Sequence, residues 1–148
     1  MEIALVTAAD LDELTPLMVA YCDFYESAPG EPALRALAEA LIADPAREGL
    51  QLLARGDRRA VGFATVYWSW STSSASRIGV MNDLYVSPEA RGSGVAEALI
   101  GACLDQARGR GAAHLEWSTQ PYNRRARAVY DRVGALASTW VEYSLDAR

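Results

Sequence analysis

The most specific chemistry in this chain lies where Asn82-Asp83-Leu84-Tyr85-Val86-Ser87-Pro88-Glu89-Ala90 runs into Arg91-Gly92-Ser93-Gly94-Val95-Ala96, a strand pattern turning through glycines into a helical one. Gly92 and Gly94 allow a sharp turn and let a ligand come close to the main chain. The N–H groups that open a helix have no intrahelical acceptor, and the helix dipole adds positive potential at the same place. Arg91 supplies a full charge where the backbone supplies partial ones. Together these features predict a phosphate or pyrophosphate site, although a tight turn that holds nothing would use the same glycines. Two other phosphate loops do not fit. No lysine follows Gly94 as a P-loop requires, and a dinucleotide fold would need glycine where Glu97 stands and a second βαβ half.

Aromatic and acidic residues form the second notable group. Tyr21, Asp23, Phe24, Tyr25 and Glu26 close the first helical pattern, Trp68 and Trp70 alternate along a strand, and Trp117 and Thr119 mark a later one. Aromatic walls with carboxylates suit a cationic ligand. The same spacing would serve a core, with Tyr21 and Tyr25 inward and Asp23 and Glu26 in water. Other chemistries are poorly supplied. His114 is the one histidine, and Cys22 and Cys103 form no Cys-x-x-Cys or Cys/His pattern, so no metal set is expected. The two cysteines read as buried hydrophobes, and without a basic-then-apolar leader the expected location is cytoplasmic. Fourteen basic against nineteen acidic side chains give a net charge of −5, the wrong sign for a nucleic-acid partner. No apolar run approaches the roughly 18 residues of a membrane helix, so no membrane partner is expected.

These residues must be positioned by one domain, 1–148, the length of an ordinary folding unit. Glu2 to Val6 reads as a strand. Asp10 and Glu13 read as a capping box for a helix through Tyr25, which Pro16 should bend or push forward to start at Thr15. Leu34 to Ile42 reads as a second helix. Strands follow at Gly49 to Arg55, Arg59 to Trp70 and Arg77 to Val86, the first two joined by a hairpin at Gly56-Asp57-Arg58. A helix from Val95, a central strand from Ala113 to Ser118, a helix from Asn123 to Val133 and a last strand from Ala137 to Leu145 complete the order. The fold class is α/β, a mixed and mostly antiparallel sheet flanked by helices, with parallel strands on either side of the helix that starts at Val95.

Arg91-Gly92-Ser93-Gly94-Val95-Ala96 resembles the Arg/Gln-x-x-Gly-x-Gly/Ala signature of the GCN5-related N-acetyltransferase superfamily. Asp83-Leu84-Tyr85-Val86-x-Pro88 before it and Asn123-x-x-Ala126-x-x-x-Tyr130-x-x-x-Gly134-Ala135 after it are similar to segments of the small diamine and thialysine acetyltransferases. The resemblance implies a fold whose central parallel strands splay at a bulge, and acetyl-CoA as cofactor. The diphosphate would lie on the amides of Gly92 to Ala96. The pantetheine arm would bond like an extra strand near Leu84, Tyr85 and Val86, with Asn123 and Ala126 beside it.

Tyr130 would stand near the sulfur as general acid, since a phenol with a pKa of about 10 is protonated at neutral pH. Val86 N–H would polarise the carbonyl. Tyr21, Phe24, Tyr25, Glu26, Trp68, Asn82, Trp117 and Thr119 would receive a small primary amine, and a homodimer is implied, with Trp140 and Tyr143 of the last strand at its interface. The diamine acetyltransferases carry glutamate where this chain has Asn82, and an amide takes no proton. Strand alternation would turn Asp83 to the opposite face, leaving water held by Asn82, or Asp23 or Glu26, to deprotonate the amine. The alternatives are a protein or peptide N-acetyltransferase, which needs an open groove, and a non-catalytic acyl-CoA-binding module, which the amide at Asn82 would permit.

Overall fold

Asp57 and Arg58 both take left-handed backbone, with φ of 48° and 65°, the geometry of a two-residue hairpin loop whose twist matches the strands it joins. That turn folds β2 (Gly49–Gly56) against β3 (Arg59–Ser71), and the loop Thr72 to Ala75 folds β3 against β4 (Ser76–Val86). The computed structural model describes all of residues 1–148, in two units, Met1–Ser118 and Thr119–Arg148. In the first unit β1 (Glu2–Leu5) adds antiparallel to β2, and β5 (Leu115–Glu116) lies parallel to β4, giving the order β1-β2-β3-β4-β5.

Alternation along β3 divides the core between two faces. Phe63 joins Leu53 beneath α1 (Leu11–Phe24) and α2 (Glu31–Ala43), where Leu11, Leu14, Met18, Leu34 and Ala38 close over them. Its neighbour Gly62 faces α3 (Val95–Gly109), whose buried stripe is Val95, Leu99, Ile100, Cys103 and Ala107. A side chain at Gly62 would put its β-carbon 2.6 Å from the Tyr85 carbonyl, so the close approach of β3 to β4 at this level requires glycine.

α1 starts at Leu11 directly after Asp10, as expected, but its capping differs. Thr7 N–H and Oγ1 donate to the Asp10 carboxylate at 2.7 and 2.8 Å, closing a one-turn 3-10 segment at Ala8–Asp10. The box is therefore Thr7 with Asp10, three residues before the expected pair. Pro16 does not displace the helix. It lies on an exposed face, and the carbonyl it leaves without an amide belongs to exposed Asp12, where water can serve it. Asp10 and Glu13 are used instead to hold Arg55 of β2, at 2.6 and 2.8 Å from its Nη2.

The second unit contains α4 (Arg124–Arg132). Asn123 Oδ1 accepts from Ala126 N–H at its start. At its end Gly134, with φ 78°, lets Ala135 N–H reach Tyr130 O and Gly134 N–H reach Asp131 O, a glycine-dependent stop. The expected last strand does not form. Residues 136–148 enter no ladder, and Trp140 and Tyr143 are 86% and 92% exposed. Alternating strand formers create only the capacity to pair; a strand exists where an edge receives it. The strand expected to be central is correspondingly the last in the sheet, and shorter, at Leu115–Glu116.

Arg55 joins α1 to β2 at a partly buried position, and its hydrogen bonds hold the Glu13 carboxyl below the usual carboxylate range. For Asp10, burial pushes the carboxyl up, but bonds from Thr7 and Arg55 outweigh it and the net direction is down. Carboxyls depressed in the folded state give stability that is complete above their unfolded pKa of about 4 and is lost as pH falls through the folded value. Arg55→Ala is expected to cost about 1–2 kcal/mol at pH 7 and to flatten the decline below pH 4. Urea unfolding at pH 7 and pH 3 measures both, and an equal loss at the two pH values would exclude this role.

Candidate active site

Between β4 and α3 the chain passes through the one-turn 3-10 segment Pro88–Ala90 and then Arg91 to Gly94. Gly92 and Gly94 sit at φ 77° and 83°, and a β-carbon at either would meet nothing within 4 Å. Backbone conformation therefore makes glycine necessary here, while the space above the turn stays open. Ser93 Oγ ties the turn down by donating to Ala90 O at 2.6 Å, and Arg91 Nε donates to Val86 O at 3.0 Å. The first bond of α3 is Ala98 N–H to Gly94 O. Ahead of it, the amides of Gly92, Ser93, Gly94, Val95 and Ala96 donate to no acceptor in the protein. Five consecutive free donors at a helix N-terminus, beside a guanidinium, make an anion cradle.

Next to this cradle the sheet opens. β4 and β5 pair only at Gly79 with Leu115 and Val80 with Glu116. From Met81 to Val86, β4 has β3 on one edge and no ladder on the other. Ser87 N–H donates to Val61 O across β3, and main-chain groups alternate in direction along a strand. Val86 and Leu84 therefore turn their N–H groups to the open edge, while Tyr85 turns toward Phe63. Leu84 and Val86, with Tyr85 between them, offer the bonding pattern of an edge strand.

The register of β4 on β3 shifts where the edge opens. Thr65 faces Asp83 and Val66 faces Met81, so Asn82 is the extra residue of a bulge. The expected alternation of Asn82 and Asp83 is thereby overturned. Asn82 Nδ2 donates to Asp83 Oδ1 at 3.0 Å, and both residues lie on the α1 face. Tyr21 donates its hydroxyl to Asn82 O at 3.4 Å. Tyr21 packs on Tyr25, with centroids 4.9 Å apart, and on Phe63, while exposed Phe24 meets Tyr25 edge-on. Burial, then the nearby Asp83 charge, push the Tyr21 phenol well above its ordinary value.

The structure thus brings Tyr21, Phe24, Tyr25 and Asn82 together. Trp68 is not among them. Tyr67 faces Asp83, so its neighbour Trp68 faces the other way, where its indole donates to Pro45 O at 2.9 Å and Arg110 stacks on its ring. Strand alternation that grouped Trp68 with Trp70 correctly was read toward the wrong face for a ligand. Glu26 is exposed just past the end of α1, with left-handed φ of 54°. Trp117 follows β5 in the first unit; Thr119, Asn123, Ala126 and Tyr130 belong to the second, with Ala126 and Tyr130 half-buried on α4. Sequence reasoning missed Tyr67 and discounted Asp83. The available signal was the doublet Val80-Met81 followed by Asn82-Asp83, two apolar then two polar residues where strict alternation fails.

Comparison with known proteins decides the family. Residues 14–135 match the acetyltransferase (GNAT) family. This chain is a GNAT acetyltransferase. It is 32% identical over 147 residues to the uncharacterized N-acetyltransferase YhfO of Bacillus subtilis (strain 168), covering 99% of this chain and 97% of that one. A solved structure of a probable acetyltransferase superposes with a TM-score of 0.87 at 32% identity, covering 100% and 99% of the two chains. Thialysine N-epsilon-acetyltransferase of Bos taurus is 33% identical over 82 residues, 55% of this chain and 48% of that one, so this match spans about half of the relative.

Family members use acetyl-CoA, and the residues present suit it. Five unpaired amides and Arg91 match the charge of a diphosphate, and the open edge from Met81 to Val86 matches an arm whose amides bond like a strand. Forcing a side chain into the left-handed turn costs roughly 1–2 kcal/mol, so Gly94→Ala is expected to weaken CoA binding roughly tenfold without unfolding the protein. Titration calorimetry with CoA measures this; unchanged affinity would remove the turn from the cofactor site.

Proposed function

We propose that this acetyltransferase moves the acetyl group of acetyl-CoA directly to the primary amine of a small molecule, within a ternary complex. The observation that carries this reading is the run of free amides from Gly92 to Ala96 beside the unpaired edge of β4. Bound acetyl-CoA would supply the activated carbonyl carbon and the thiolate leaving group. Arg91, Gly92, Ser93, Gly94, Val95 and Ala96 hold its diphosphate. Leu84, Tyr85 and Val86 hold its arm, and Val86 N–H draws charge from the carbonyl oxygen. We assign Asn123, Ala126 and Tyr130 to acetyl-CoA from the motif they share with small amine acetyltransferases; the Tyr130 hydroxyl would give its proton to the departing sulfur, and the proton the amine loses would leave through water held by Asn82, or to Asp23 or Glu26.

Direct transfer is supported by the state of the thiols. Burial pushes the Cys103 thiol up to about 12, and burial together with Asp83 and Asp23 raises that of Cys22. Neither is an activated nucleophile that could carry the acetyl group on a separate path. On the acceptor side Tyr21, Phe24, Tyr25 and Asn82 line one wall, Glu26, Trp117 and Thr119 are proposed acceptor residues as well, and the aromatic cluster at the end of α1 supports a cationic small molecule. The relative named for thialysine supports an amine. We take 1–148 as one catalytic domain, since the family match runs unbroken across Ser118 and Thr119. A cytoplasmic location is supported by the free thiols of Cys22 and Cys103.

Acetyl-CoA with a panel of polyamines, amino acids, aminoglycosides and peptides, followed by thiol release, tests the reading. Turnover of one or more small amines is expected. Turnover of peptides alone would favour a protein acetyltransferase, and tight CoA binding without any turnover would make the chain a binding module. Tyr130→Phe is expected to lower kcat by roughly 10²–10⁴ with CoA affinity retained; a small change in kcat would move the acid elsewhere.

The same reading includes a homodimer, supported by the exposed apolar run Leu136, Trp140, Val141, Tyr143 and Leu145. Light scattering is expected to give twice the chain mass, and truncation after Ala135 the monomer. A full-length monomer at all concentrations would refute it.

A further inference from the structure

The bulge at Asn82 assembles a set of groups on the α1 face that the acetyl-transfer reading above leaves without a task. Asp83 stands opposite Thr65 and is half-buried. The amide of Asn82 holds one of its oxygens at 3.0 Å. The Tyr21 hydroxyl lies beside its carboxylate, and Tyr67 faces it from β3. Burial, then the Asp83 charge, push the Tyr67 phenol up to about 12, so both tyrosines remain neutral hydrogen-bond donors around it. Asp10, Asp12, Glu13 and Glu89 are each paired with an arginine; Asp83 is paired with none.

A carboxylate drawn partly out of water without a cation is costly, and a hydrogen-bonded cation removes that cost. The remaining surroundings suit one. The rings of Tyr21 and Tyr25 and the exposed ring of Phe24 border the same face, where an alkylammonium can rest on aromatic surface while its charge reaches the carboxylate. Asn82 also fits this arrangement better than a second acid would. Its amide fixes the carboxylate without repelling it, and its main-chain carbonyl anchors Tyr21.

We propose that Asp83, oriented by the amide of Asn82, binds the ammonium group of the acceptor and so selects cationic amines; this rests on the acetyl-transfer reading above. The bulge is what gives Asp83 this task. Were the same residues to alternate regularly from Met81 with no bulge, Asn82 would take the α1 face and Asp83 the α3 face, and the acceptor side would have no carboxylate on the strand.

Two measurements test it. With the best amine of the panel, Asp83→Asn is expected to raise KM roughly tenfold to a hundredfold, with CoA affinity by calorimetry unchanged. Asp83→Glu, which keeps the charge, is expected to recover part of the loss, and a merely structural aspartate would show no such split. The second measurement needs no turnover. In wild-type protein saturated with CoA and carrying ¹³C-labelled aspartate, the Asp83 side-chain carboxyl signal is expected to shift on adding n-butylammonium chloride, and not on adding tetramethylammonium chloride, which cannot donate a hydrogen bond. Turnover of cationic amines with an unmoved Asp83 signal, or an Asp83→Asn enzyme with wild-type KM, overturns the proposal alone. CoA binding with no turnover of any amine overturns the transferase reading; Asp83 as an ammonium site then stands or falls on the carboxyl signal.

Discussion

A strand inside a sheet ordinarily spends its main-chain bonds on two neighbours, and β4 does so only as far as Val80. Past that residue its outer edge has no strand, and the main-chain groups of Leu84 and Val86 face outward. An open edge of this kind is an aggregation hazard in most proteins. Here it lies next to a turn whose amides are also unspent, so two sets of unused backbone donors adjoin. Backbone groups are the most rigid donors a protein has, and a ligand held by them is held at fixed geometry with little side-chain entropy lost. The gap between β4 and β5 is therefore the constraint on which the rest of the site depends.

What keeps the gap and the cradle in register is packing on both faces. α3 is anchored through Leu99, Ile100 and Cys103, which places its N-terminus and the free amides ahead of it. Gly62 lets β3 approach Tyr85 closely, and Arg91 bonds the turn back onto Val86, the last residue of β4. That last bond has an electrostatic consequence. The chain carries a net charge of −5, yet the cradle presents a fixed guanidinium and a helix N-terminus, so an anion is attracted locally against the field of the molecule as a whole.

Much of this was legible in the sequence, for reasons that differ by element. The glycine turn and α3 were readable because left-handed backbone needs glycine and an amphipathic helix announces its period. Asp57-Arg58 was readable as a turn from its position between two apolar runs, although neither residue is a glycine. The start of α1 after Asp10 was readable, but its capping box was paired three residues late, because Asp10 and Glu13 satisfy the capping pattern while their carboxylates serve Arg55, a partner 42 residues away from Glu13. The last strand was overcalled because alternating aromatics record a preference and say nothing about the edge that must receive it. Asp83 was misplaced for a similar reason. A bulge without glycine or proline leaves almost no mark on composition, and it inverts every inference that rests on counting by two from Met81 onward.

That inversion also couples the two halves of the site. One extra residue in β4 lies where the pairing with β5 ends, and the same residue turns Asp83 toward Tyr21 and Tyr67. Bulges bend and twist the strand that carries them, so the bend at the opening edge and the amide that holds the carboxylate come from the same extra residue. Deleting Asn82 would restore regular alternation with Asp83 still opposite Thr65 on the α1 face, but it would remove the amide that orients the carboxylate and give β4 a straighter path along β5. A point substitution at Asn82 changes only the amide that orients Asp83. The number of residues between Met81 and Leu84 therefore decides whether β4 bulges here, and the bulge both bends the strand where its pairing with β5 ends and supplies the amide that orients Asp83.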